Sequence, residues 1–259
     1  GALDSSRASG VPYAVLEHFY DEHYRTALRG PLGLVLRATG LRPGRSLRDA
    51  AVRVVMTLPE LDLVRPGGVV RQVGPLVSWR PRKQCEPTVL VSLSTFGYAG
   101  MADRLQTAVQ GCAGLPAKVI VTTGPHIDPD SLNAPAWVEV HRFAPHAELM
   151  PGVSVLLGHG GHGTAMAALA HDIPVAVFPL DPKADHEMLG RSLERAGAGR
   201  LLRRRASAHD VRDAVAALLA DGPHRDAAAR LGARVRSSAG AVGAADALEA
   251  ALPSHANTK

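Results

Sequence analysis

From Thr88 onward the sequence alternates with a regularity that few folds satisfy. Apolar runs of strand length at 88–93, 117–122, 136–141, 153–157 and 174–179 are separated or followed by helix-like stretches, including 101–112, 164–171 and 186–196. Strands that alternate with helices predict a parallel sheet with helices on both faces, since each parallel connection must cross over the sheet. The spacing therefore predicts an α/β, doubly wound domain. Beyond it the chain reads as helical. Ser207 and Asp210 have the spacing of a capping box, with Val211, Ala214, Val215, Leu218 and Leu219 following at helical intervals. Pro223 is suited to the first turn of a further helix.

The first 80 or so residues are less regular. A short apolar run from Val11 to Leu16 leads into a polar, aromatic stretch and then into arginine-punctuated helical sequence. Pro75 to Pro87 carries three prolines and clustered charge, as a linker does. The expected boundaries are a first region over 1–75, a linker over 76–87, the doubly wound domain over 88–252 and a frayed tail over 253–259. The sequence begins at Gly1 without a methionine. Processing, or derivation from a longer chain, is the expected origin of that end.

Composition excludes several classes. Lys and Arg number 29 against 24 Asp and Glu, a formal charge of +5, but the arginines are scattered and aromatics are only 4% of the chain. A stacking nucleic-acid surface is therefore not expected. Two cysteines, Cys85 and Cys112, make neither a zinc quartet nor a disulfide framework, which suits a reducing cytoplasm. The longest stretch free of Asp, Glu, Lys and Arg, 149–171, contains Pro151, five glycines and three histidines and is not a membrane span. No basic-then-apolar signal peptide opens the sequence, so the expected location is cytoplasmic.

The most informative segment runs from Val153 through Gly158-His159-Gly160-Gly161-His162-Gly163-Thr164 into Ala165–Ala170. It reads as strand, glycine loop, helix. Such a loop lets backbone N–H groups approach an anion, and the helix N-terminus adds partial positive charge. Thr164 adds a hydroxyl, and His159 leaves the strand where open α/β sheets place ligands. A tight turn serving only packing is the plain alternative. Gly158, Gly160 and Gly163 also satisfy the dinucleotide pattern G-x-G-x-x-G, with Asp181 after the next strand, although several strands precede the loop here. A metal site built on His159 and His162 lacks a third ligand nearby in sequence, and no metal is expected.

Further stretches, read with this loop, resemble one family. Phe143-Ala144-Pro145-His146 precedes the loop by half a βα unit; His159 to Thr164 resembles an HGGxGT diphosphate motif. Ile173-Pro174 to Pro179 resembles G-V-P-x-x-x-x-P, with Asp172 standing for the glycine; Asp185-His186 falls at an Asp-Gln pair. Val91 to Thr95 resembles the first strand of the same domain, and Val73 to Leu76 the approach to its linker. Together they resemble the nucleotide-sugar-dependent glycosyltransferases of the GT-B fold, family 1, especially the bacterial antibiotic and macrolide type. The match is close over 73–250 and loose over 1–72.

The resemblance implies a Rossmann-like donor domain of GT-B type behind a partial second Rossmann-like domain at the N-terminus. It implies that Phe143 stacks on a pyrimidine, that the backbone near Ala144 reads the base edge, and that His146 lies near the ribose. Ser94 and Thr95 would approach the diphosphate, with His159, Gly160, Gly161, Gly163 and Thr164 holding it. Asp185 and His186 would meet the sugar hydroxyls, although Asp185 serving as a plain helix cap and Phe143 as plain core are the bland readings. No cofactor is implied beyond a UDP- or dTDP-sugar co-substrate, used without metal and with inversion, for a hexosyl or deoxysugar group. The sequence departs from the family pattern at His186 in place of Gln, Leu189 in place of Asn and Ser94 in place of Gly, which implies an altered reader of the sugar hydroxyls.

The family's acceptor domain carries its catalytic His on a first loop that has no counterpart here. Several βα units of about 30 residues each are expected to be missing, and no catalytic base is assigned. His18, Phe19 and Tyr20, with Tyr13 and Tyr24 nearby, are expected either to line a pocket for a small hydrophobic acceptor or to be helix packing. Three readings stay open: a glycosyltransferase whose donor site is here, a nucleotide-sugar-binding pseudoenzyme or partner subunit, and an epimerase or dinucleotide-using enzyme. A second copy of the chain or an auxiliary activator protein is the expected macromolecular partner.

Overall fold

The computed structural model describes every residue except Gly1, Phe19, Leu63, 65–67, Gln84, Asp221 and 252–259, so the expected frayed tail lies outside the described residues. Packing divides the chain into two compact units, Gly1–Leu76 with Ser238–Lys259, and Val77–Ser237.

The first unit runs α1 (Ala2–Ser9), β1 (Ala14–Glu17), α2 (Asp21–Arg29), α3 (Pro31–Ala38), α4 (Pro43–Arg48), β2 (Val52–Val55) and β3 (Val70–Gln72). Its three strands are parallel in the order β1-β2-β3, with Leu16 opposite Val54 and Val55 opposite Gln72. At the C-terminal ends of these strands lies a buried polar network. Arg53 donates to Glu17 and to Asp21 at 2.7 Å each, and Asp62 accepts from the Asp21 amide at 2.9 Å and from Thr57 at 3.1 Å. Arg25 adds a second ion pair to Asp21.

The second unit is the expected doubly wound domain. It runs β4 (Thr88–Ser92), α5 (Met101–Gly111), β5 (Lys118–Thr122), β6 (Val138–His141), α6 (His146–Leu149), β7 (Val155–Gly158), α7 (His162–Ala170), β8 (Val175–Val177), α8 (His186–Arg195), β9 (Gly199–Leu201), α9 (Ala208–Leu219) and α10 (Pro223–Ser237). All neighbours are parallel in the order β6-β5-β4-β7-β8-β9, the Rossmann order. Alternate residues of β4 serve opposite faces. Val89 and Val91 join Leu105, Val109, Val211 and Val215 in a core with α5 and α9, while α7, α8 and α10 pack on the other side. The capping box at Ser207 forms in full, with both reciprocal bonds to Asp210.

Asp172, the stand-in for a family glycine, has φ 58°, the left-handed conformation a glycine adopts freely. Aspartate tolerates it better than most residues, and Arg236 on α10 holds it with a 2.7 Å bond to its carboxylate.

Two expected boundaries move. Much of the supposed linker packs on the second unit: the Lys83 amide bonds to the Pro151 carbonyl at 2.7 Å and the Arg80 amide to His171 at 3.2 Å. The last helix, α11 (Gly240–Ala251), leaves the expected 88–252 domain altogether. Its Ala244, Ala247, Leu248 and Ala251 join Met56 in covering Val52, Val54 and Val73 of the first unit. Among the described residues, no helix is long and apolar enough to cross a membrane.

Candidate functional site

The strand order reverses between β4 and β7, so the chains leaving these neighbours run to opposite sides and open a crevice at their C-terminal ends. A cavity of about 380 Å³ fills it. One wall comes from the segment after β7, another from the segment after β4, and the third from the turn between β6 and α6.

The glycine loop is built by close approach. Gly160 has φ +94°, and a Cβ there would lie 2.9 Å from both the His186 carbonyl and Val177 Cγ1. A Cβ on Gly161 would stand 2.7 Å from the His159 ring. The loop is thus clamped between one imidazole and the backbone of α8. Gly161 is the N-cap of α7 and has no side chain to occupy the first-turn amides. Those amides and the helix dipole make an anion-binding end. Thr164 lines the cavity, whereas Gly160, Gly161 and Gly163 shape the loop without being among its lining side chains.

His159 lines the same wall. Burial, helped by the neighbouring His186, pulls its pKa down to about 4, against an opposing hydrogen bond to the Leu93 backbone. The imidazole is therefore neutral near pH 7. His186 is buried, meets His159 edge-on with ring centres 4.8 Å apart, and takes Tyr98 on its own flank at 5.6 Å. The structure places His186 behind His159 and not at the cavity wall. Asp185 also stands outside the lining, half-buried at the N-terminus of α8, and its side chain makes no cap bond there.

Across the cavity, Phe143 is 75% exposed, so it is not core. Ala144 and His146 continue that wall. Ser94 and Thr95 line the cavity from the β4 side, and the Ser94 hydroxyl also accepts from the Phe96 amide at 3.0 Å, shaping the turn. Sequence reasoning missed Phe96, which is 74% exposed on the same cavity, and Arg142, which pairs with Asp128 at 3.0 Å. It also missed Ser92 and Thr122. Polar residues closing otherwise apolar strands were the available signal.

The dinucleotide pattern lacks its usual setting. It follows β7, the fourth strand of the domain, and not the first βα turn, which here is the loop after β4. Of the residues expected at an acceptor, Tyr20 is 1% exposed and belongs to the core of the first unit. Burial corrects its assignment as pocket lining. The Tyr13 hydroxyl donates to the Ser46 carbonyl. His18 is exposed, and Phe19 lies outside the described residues.

The family described as erythromycin biosynthesis protein CIII-like, C-terminal domain, matches residues 106–250. The 4'-demethylrebeccamycin synthase of Lentzea aerocolonigenes is 32% identical over 95% of this chain and 62% of its own length. The chain thus spans less than two thirds of that relative. Among solved structures, the calicheamicin glycosyltransferase CalG4 superposes with a TM-score of 0.72 at 24% identity, over 99% of this chain and 71% of that one. The glycosyltransferase VinC in complex with dTDP gives 0.68 at 18% identity, over 97% of this chain and 69% of its own. The chain belongs to the erythromycin biosynthesis protein CIII-like family, its matched part being the C-terminal domain, and carries the fold of the GT-B antibiotic glycosyltransferases.

Proposed function

We propose that this chain holds the donor site of an inverting glycosyltransferase that moves a sugar from a UDP- or dTDP-sugar to a hydroxyl of a small apolar natural product. The observation that carries the reading is the crevice between β4 and β7. There the α7 N-terminus, His159 and Thr164 share one cavity with the exposed ring of Phe143. A nucleoside diphosphate has matching parts: a planar base for Phe143, a ribose beside His146, and phosphates for the glycine loop. The dTDP complex of VinC and the natural-product names of the relatives support the same ligand class.

Cleavage of the sugar–phosphate bond leaves negative charge on the β-phosphate. Amides fixed in place by Gly160 and Gly161, together with the α7 dipole, stabilise that charge as it develops. In this reading those donors take the part that a divalent cation plays elsewhere. His159 is neutral before binding and already engages the Leu93 backbone, and the negative charge of an arriving diphosphate raises the affinity of the ring for a proton. Asp185 is the residue proposed to accept from sugar hydroxyls. The acceptor hydroxyl must lose its proton as it attacks, and no residue of this chain is assigned that task.

Calorimetric titration of the full chain with UDP and dTDP, beside His159→Ala, tests the reading. Saturable binding by the wild type, weakened at least tenfold in the variant, is the expected result. A folded wild-type chain that binds neither nucleotide would overturn it.

A further inference from the structure

Ser92 closes β4 and Thr122 closes β5, and the two are register partners in the parallel ladder. Partners in register share a face, so their side chains leave the sheet side by side. Thr122 Oγ1 donates to Ser92 Oγ at 2.7 Å, and Ser92 Oγ lies 3.0 Å from Nε2 of His146. His146 reaches this point because the turn after β6 carries the chain back over β5 to start α6. Both hydroxyl residues are buried, and all three residues line the cavity of the candidate site.

The proton count is restrictive. A hydroxyl has one proton to give. Ser92 accepts the proton of Thr122, and its own is aimed at the nitrogen within reach, Nε2 of His146. The reverse chain, Nε2–H donating to Ser92 and Ser92 to Thr122, would leave the Thr122 proton without an acceptor among the described residues. Nε2 is thus the bare nitrogen and Nδ1 carries the ring proton. Burial lowers the pKa of His146, so the ring is neutral near pH 7 and its tautomer, not its charge, decides what it offers.

We propose that Thr122 and Ser92 form a hydroxyl relay that locks His146 in its Nδ1–H tautomer, so that the cavity presents a hydrogen-bond donor to an oxygen of a bound nucleoside diphosphate. Ser92 and Thr122 are positioning residues that act through His146. The ligand in this inference rests on the donor-site reading above, whereas the tautomer does not.

Nitrogen-15 NMR of the imidazoles in the full chain at neutral pH reads the relay directly, the His146 signals being identified by their loss in His146→Gln. The expected wild-type result is a protonated Nδ1 and a bare Nε2. Ser92→Ala should move the ring toward Nε2–H and weaken UDP and dTDP about tenfold, the effect of one lost hydrogen bond. Thr122→Ser, which keeps the hydroxyl, should preserve both properties, while Thr122→Val should shift the tautomer part of the way. A wild-type Nε2–H ring, or an unchanged ring in folded Ser92→Ala, overturns the relay. The expected tautomer in a chain that binds no nucleotide supports the relay and overturns the donor-site reading instead.

Discussion

In the second unit every residue of β4, β7 and β8 is buried, and the polar chemistry sits beyond the strand ends, where a cavity is left open. In the first unit the corresponding edge is filled. Glu17 at the end of β1, Asp21 at the start of α2 and Asp62 beyond β2 are tied together there, with Arg53 reaching in from β2 and Gln72 from the end of β3, while Leu16 of β1 remains 54% exposed. The same position in two parallel sheets is thus a ligand crevice in one and an ionic plug in the other. A sheet long enough to bury both faces draws its stability from apolar area and can leave its functional edge unsatisfied. The short sheet relies on α11 for one face and on paired charges at its edge.

The largest expected effect falls on the plug. Arg53→Ala leaves buried Glu17 without its cation and Asp21 with Arg25 alone, and breaking such a buried pair costs about 3–5 kcal/mol. Hydrogen exchange should show protection lost over β1–β3 and kept over β4–β9; loss spread evenly over both sheets would break the contrast. Next comes Gly160→Ala, which adds a Cβ at positive φ and 2.9 Å from the His186 carbonyl. It should cost about 1–3 kcal/mol and lower nucleotide affinity, both read by thermal shift with and without dTDP. Full retention of both would mean that the loop is not clamped.

Acidification should then separate the units in sign. The folded pKa of His159, about 4, lies below its ordinary 6.5, so the unfolded chain binds more protons between those values. The second unit loses stability as pH falls through that window, by at most about 3 kcal/mol. Burial raises the folded pKa of Glu17 and Asp62, so the folded first unit binds more protons and these two groups add stability as pH falls through their raised values. Exchange protection, corrected for intrinsic rates and followed from pH 7 down to the acid transition of each unit, checks both signs. Smallest is Ser207→Ala, which removes one half of a solvent-exposed capping box and should cost about 1 kcal/mol in urea denaturation.

Legibility in the sequence followed locality. The alternating core of the second unit was readable because each strand buries its residues within one apolar run, and the glycine loop because Gly160 and Gly161 answer to contacts only Gly permits. β9 was missed: Gly199-Arg200-Leu201 has too few apolar residues to signal a strand, and its place comes from pairing with β8. The allegiance of α11 was equally hidden, since its small apolar residues would suit either unit and the distant Val52 and Val54 decide the matter. Tyr20 read as a pocket residue because burial is a property of the surroundings, not of the letter. Ser92 and Thr122 looked like ordinary strand ends until register brought them together.

The return of the last helix to the first unit turns residues 77–237 into a cassette. Its two seams are neighbours: the Gly240 amide bonds to the Val73 carbonyl at 2.8 Å on one side of the crossing, and Arg236 lies 5.1 Å over the Trp79 ring on the other. A block with both joints at one place can be exchanged between related chains by recombination at those joints alone, carrying its ligand crevice intact. A transplant cut at residue 252 would instead pull α11 off the sheet it covers.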